Sequence, residues 1–216
     1  VGQKVDPDRA RVVVDRVPLP LAPDLVHYVL YKPVDVISTA DDPQGRPTVV
    51  SLVPAEPRVY PVGRLDADSE GLLILTNDGD LTERLTHPRY GVTKTYVVLV
   101  DGTPSGASLR RLTAGVDLDD GLARAQAVKL IDTSRDAALV EVVMTEGRKR
   151  EVRRMFDAVG HPVRRLVRTA IGSLRDPDLA PGTWRRLDVF EVRSLYDEAG
   201  ATWQDGAPDH HSSAPP

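Results

Sequence analysis

The 216-residue sequence contains no cysteine, which excludes disulfides, thiolate nucleophiles and cysteine-based zinc or iron–sulfur sites, without by itself identifying the compartment. No apolar run approaches the roughly 20 residues a membrane span needs, and residues 1–11 have neither a leader's apolar stretch nor a cleavage site. A soluble, cytoplasmic protein is expected. Net positive charge is also lacking: the formal charge is −4, the wrong sign for a chain whose affinity would come from neutralising phosphates. What is present, 41% hydrophobic and 28% charged residues, is ordinary for a globular chain long enough for one large core or two small ones. Chemistry is therefore left to carboxylates, His, Tyr, Lys and Arg.

The distribution of charge changes the picture. Between Arg148 and Arg168 there are eight Lys or Arg against only Glu151 and Asp157, a local balance of +6 that acids elsewhere conceal. Around that patch the chain reads as short strands with a few short helices. Residues 11–15 have strand character and look like the end of a small domain, and Pro18, Pro20 and Pro23 mark a linker, so the main domain is expected from residue 25. Strands are predicted over 27–32, 49–53, 59–62, 71–75, 93–100, 126–131, 137–144, 163–167 and 184–192, the 71–75 segment being apolar enough for burial on both faces. Asp80 and Glu83 have the spacing of a capping box for a helix that ends before Pro88, and a second short helix opens near Ser105 and closes at Gly115. Val152, Met155, Phe156 and Val159 form the apolar stripe of a third helix, stopped at Gly160. Residues 198–216 read as a disordered tail. Because strands and helices do not alternate regularly, the fold class predicted is α+β with a mixed sheet.

Three acids at alternate positions, Asp66, Asp68 and Glu70, precede the apolar strand at Gly71. They match the first half of a calcium-binding EF-hand loop, but the second half fails: its ninth position is Ile74 and its twelfth is Asn77 rather than a bidentate Glu. A polar turn, with Arg64 as the surface partner of Asp66, is the plain alternative. An active site is the third, since loop side chains held by a rigid strand are how such sites are commonly built. Spacing alone does not choose between these.

The run from Gly63 to Gly79, GRLDADSEGLLILTNDG, resembles the catalytic motif of the RsuA/RluB/RluE/RluF-type pseudouridine synthases nearly residue for residue. Lys94-Thr95-Tyr96 and the run from Glu146 to Phe156 resemble the second and third motifs of that family, in the same order, and Arg165 to Arg168 with Ile171-Gly172 looks like its closing strand. The RluB-like branch is the most similar. The resemblance implies a pseudouridine synthase fold with a largely antiparallel central sheet over residues 25–197, and it identifies residues 1–24 as the remnant of an S4-like RNA-binding domain plus linker. It implies isomerisation of one uridine to pseudouridine in ribosomal RNA, that of the large subunit, with no metal or diffusible cofactor. Small-subunit RNA, or a noncatalytic RNA- or ribosome-binding module, are the alternatives. The partner implied is ribosomal RNA or a ribosomal assembly intermediate, met by a monomer.

By the same resemblance Asp66 is the catalytic carboxylate, Arg153 its guanidinium partner and Tyr96 the ring that packs on the target uracil. Arg64 would fill the space vacated by a flipped nucleotide. On a helical wheel Arg153 falls at the edge of the apolar stripe, where pairing a buried carboxylate and facing a phosphate are equally open. Lys94, Arg148, Lys149, Arg150, Arg154, Arg164, Arg165 and Arg168 complete the expected RNA-binding set, as phosphate contacts that give affinity without sequence information.

Overall fold

The computed structural model describes residues 25–200 in full; outside them it gives only two backbone pairings, Val13–Val14 with Val17–Pro18 and Trp203–Gln204 with Ala207–Pro208. The expected S4-like remnant and nearly all of the expected tail lie outside the described residues. The described chain forms strands β1 (His27–Lys32), β2 (Tyr60–Pro61), β3 (Glu70–Thr76), β4 (Lys94–Asp101), β5 (Val116–Leu118), β6 (Gly121–Ala123), β7 (Ala127–Thr133), β8 (Ala137–Met144), β9 (Val163–Ile171), β10 (Leu174–Arg175) and β11 (Trp184–Arg186). Its helices are α1 (Gly79–Thr86), α2 (Gly106–Ala114), α3 (Glu151–Ala158) and α4 (Val189–Glu198). None of them is long and apolar enough to cross a membrane.

One nine-stranded sheet runs in the order β11-β1-β3-β9-β4-β8-β7, with β2 also on β3 and β10 also on β9, while β5 and β6 form a separate hairpin. All of its pairings are antiparallel except that of β3 with β9. This is the mixed, largely antiparallel α+β architecture expected.

Strand β3 is buried at all seven positions because both its faces are covered. Leu72 and Ile74 pack with Leu81 and Leu85 of α1 and Val192, Leu195 and Tyr196 of α4, whereas Leu73 and Leu75 point the other way, onto Val36, Val49 and Val59. The remaining core lies in the other half of the sheet, where Val98, Val100, Val140 and Val142 meet Leu112 of α2 and Met155 and Phe156 of α3.

The two halves meet along only two pairs of the parallel ladder, Glu70 with Val167 and Gly71 with Arg168. Glycine is required there. Gly71 has φ +109°, and a Cβ on it would stand 2.3 Å from the Arg168 carbonyl oxygen. The loop that precedes Glu70 therefore emerges where the halves of the sheet part.

Three local expectations change. Residues 49–52 form a 3-10 turn rather than a strand, with Val49 buried and Val50 and Leu52 packed partly against the core; a short apolar run does not distinguish the two by periodicity. Strand character at Trp184 stops at Arg186, and Asp188 with Glu191 forms the capping box that opens α4. Helix α1 is capped by Asp78, whose side chain accepts the Leu81 N–H at 3.0 Å, while Asp80 pairs with Arg84 one turn on. The expected domain end at residue 197 falls one residue before the end of α4. Asp78 also accepts from Tyr196 Oη at 2.8 Å and lies 3.0 Å from His27 Nε2, so one buried carboxylate fastens β1, α1 and α4 together.

Candidate active site

Leu65 to Ser69 is held from both sides. The Ser38 hydroxyl donates to the Leu65 carbonyl and accepts the Leu65 N–H, at 2.8 and 3.1 Å. Lys32, fully buried at the end of β1, donates through Nζ to the carbonyls of Ser69 (2.7 Å), Pro33 (2.9 Å) and Ala67 (3.4 Å). Arg153 of α3 reaches the opposite side of the loop, donating to the Asp68 carbonyl at 2.8 Å and to Ser69 Oγ at 3.3 Å, with a third bond to the Val163 carbonyl. Its 7% exposure makes it a structural bolt between α3, β9 and the loop.

In the middle of this fastened loop, the Asp66 carboxylate has no hydrogen-bond or ion-pair partner among the described residues. It faces a cleft of about 380 Å³, at the small end of the range for small-molecule sites. Leu65, Met144, Val152 and Leu166 supply apolar walls, Tyr96 a buried ring, and Arg64, Lys149 and Arg150 cations. A cleft with apolar walls, one aromatic face, a fixed carboxylate and charged groups around it suits a planar, polar-edged base. Burial pushes the Lys32 ammonium down to about 8, against the pull of Asp68, Asp66, Asp35 and Glu70, so a cation stands behind the loop.

Asp66 and Arg64 thus line one cleft with Tyr96 of a distant segment. Arg153 does not: its guanidinium is bound to the loop's backbone and approaches the Asp68 carboxylate at 3.5 Å, with no ion pair to Asp66. The helical wheel placed it correctly at the core boundary, but the loop turns Asp68 toward α3 and Asp66 toward the cleft.

The basic residues are more dispersed than their spacing in sequence suggests. Lys94 donates to the carbonyls of Leu85 and Val92 beneath α1, and burial, then Arg168, pushes it down to about 8. Arg168 is buried with Nε on the Leu72 carbonyl at 2.7 Å, which removes it from any RNA surface. Arg164 pairs with Asp101 and Asp136 at the far end of β4, roughly 15 Å along the strand from Tyr96. Arg165 grips Glu70 at 2.7 Å, a hydrogen bond that holds that carboxyl below its usual range. Arg148 is a hub for Asp120, Glu146, Glu151 and the Gly121 and Leu122 carbonyls. Only Arg64 and Lys149 of the expected set have no partner within the described chain.

Lys32, Ser38 and Glu151 join the site without being among the residues expected there. A lysine closing an apolar strand was the available signal for Lys32. Glu151 is buried in the cleft wall, where it accepts the Arg148 N–H at 3.0 Å and Arg148 Nε at 2.9 Å, and burial pushes its carboxyl up.

Comparison with known proteins follows the same lines. Residues 26–158 match the family described as RNA pseudouridylate synthase. An uncharacterized RNA pseudouridine synthase of Mycobacterium leprae is 43% identical over 204 residues, covering 93% of this chain and 80% of the relative. The ribosomal large subunit pseudouridine synthase B of Bacillus subtilis is 42% identical over 173 residues, 79% of this chain and 71% of its own. A crystal structure of a pseudouridylate synthase superposes with a TM-score of 0.72 at 29% identity, over 82% of this chain and 76% of that one.

Proposed function

This chain belongs to the RNA pseudouridylate synthase family, and we propose that it isomerises a uridine of large-subunit ribosomal RNA with Asp66 as its catalytic carboxylate. The observation that carries the residue assignment is the unpartnered Asp66 carboxylate at the centre of a loop held by Ser38, Lys32 and Arg153. A structural acid would be consumed by its neighbours, as Asp68 and Glu70 are by Arg150 and Arg165. Asp66 is positioned and left unused, which is what a group that must meet substrate requires.

The reaction breaks the bond between uracil N1 and the sugar, turns the base, and joins it through C5; C5 loses a proton and N1 gains one, so atoms balance without a cofactor. Asp66 attacks the base or the sugar, or abstracts a sugar proton, and each route needs a fixed, ionised carboxylate. Tyr96, in the lining of the cleft, packs on the uracil, and its hydroxyl relays the C5 proton by accepting it as its own O–H proton is passed on. The target must leave its stack to reach this depth, and Arg64, exposed and unpaired at the mouth, occupies the gap. Ribosomal RNA of the large subunit as the substrate rests on the similarity to the Bacillus subtilis enzyme.

The test is Asp66→Asn assayed on ribosomal RNA transcripts. RNA affinity and melting temperature stay near those of the wild type while pseudouridine formation disappears; turnover at the wild-type rate would remove Asp66 from the chemistry.

A further inference from the structure

Arg150, the N-cap of α3 and part of the cleft lining, and Arg154 stand one turn apart, and the Arg154 N–H donates to the Arg150 carbonyl. Each guanidinium is occupied by an exposed carboxylate brought from elsewhere in the chain. Arg150 Nη1 donates to both oxygens of Asp68, at 3.0 and 2.9 Å. Arg154 makes a two-pronged pair with Asp120, at the tip of the β5–β6 hairpin, with both distances 2.8 Å. The side chains of Asp68 and Asp120 are 48% and 45% exposed, so neither acid is locked into a core. Arg148 also touches Asp120, but its bonds to Glu146, Glu151 and two carbonyls hold it in place regardless.

A guanidinium fork presents the same two donors to a carboxylate as to a phosphate. We propose that Asp68 and Asp120 are built-in stand-ins for backbone phosphates, and that RNA docks beside the cleft by displacing them from Arg150 and Arg154. The inference rests on the RNA-modifying reading above and adds a device for selectivity. The acids lower the affinity for any strand, so only an RNA that also fills the cleft makes enough further contacts to displace both. It accounts for a locally basic segment in which Arg150, at the cleft, and Arg154, one turn on, already carry anions.

The experiment measures binding of the full chain to a short labelled single-stranded RNA of mixed sequence, over a salt series, for Asp120→Asn and Asp68→Asn. Each variant is expected to bind about two- to fivefold more tightly, the equilibrium equivalent of one exposed ion pair. The slope of log affinity against log salt should steepen by about 0.7 per variant, the value of one added contact to single-stranded phosphate. In an Arg154→Gln background the gain from Asp120→Asn should vanish. Unchanged or weaker binding in variants that melt normally overturns the proposal, as does a gain that persists without Arg154. Should Asp120→Asn loosen the hairpin and lower the melting temperature, Asp68→Asn decides alone. Turnover plays no part in this readout, so a failure of the Asp66 assignment leaves these affinities untouched and is seen separately.

Discussion

Asp66 differs from Asp68 and Glu70 in what its carboxylate lacks. The three acids alternate along five positions, yet Asp68 turns to α3, Glu70 turns to Arg165 and Tyr31, and only Asp66 meets the cleft. The motif at residues 63–79 made Asp66 legible in the sequence. The direction taken by each acid was not legible, because it depends on Lys32 and Arg153, which arrive from positions far away in the chain. The same dependence makes Arg153 a positioning residue. Arg153→Lys keeps a charge but loses the fork that spans the Asp68 carbonyl, Ser69 Oγ and the Val163 carbonyl. Pseudouridine formation should fall by about tenfold or more, equivalent to about 1.4 kcal/mol or more in the barrier, with RNA affinity largely kept. Single-turnover rates alongside binding curves check this; an affinity loss that accounts for the whole effect would make Arg153 an RNA contact instead.

Among the elements, β3 carries the site's geometry through one residue. Gly71→Ala puts a methyl group against the Arg168 backbone at a φ that L side chains rarely adopt, so we expect a loss of about 3 kcal/mol or more. For a chain of this size that is roughly a 6–12 °C fall in melting temperature, and a shift under 2–3 °C, roughly 1 kcal/mol, would mean that the two halves of the sheet separate readily. Element type was readable from periodicity wherever a strand or helix had a single buried face, as in β8 and α3. It failed at Val49 and at Val189 to Val192, where a few apolar residues serve a turn or a helix whose identity is decided by caps. The Asp188–Glu191 box was present in the sequence, but the β-branched residues beside it pointed to strand.

Across the whole molecule, charge and burial are arranged so that buried ionic groups hold elements together, while some of the exposed ones, Arg64, Lys149 and Arg150, line the cleft. Asp78 shows the first arrangement. Burial pushes its carboxyl up, but hydrogen bonds from His27, the Leu81 N–H and Tyr196 outweigh that, leaving it below its ordinary value. A depressed carboxyl contributes stability that is fully present above its unfolded value of about 3.9 and is lost as pH falls through the folded value. Asp78→Asn should therefore cost roughly 2–3 kcal/mol at neutral pH, and should flatten the acid limb of a melting-temperature profile below pH about 4. A parallel, merely lowered profile would contradict the assignment. Composition pointed to one globular chain without showing that its sheet divides at two ladder pairs, since that division follows from strand order, which no local pattern encodes.

Pseudouridine mapping of large-subunit ribosomal RNA from cells lacking this protein, complemented with the wild type or with Asp66→Asn, decides whether the chain modifies that RNA through Asp66. One uridine is expected to lose its modification on deletion and to regain it only with the wild-type chain. Restoration by Asp66→Asn, or a map unchanged by the deletion, would contradict it.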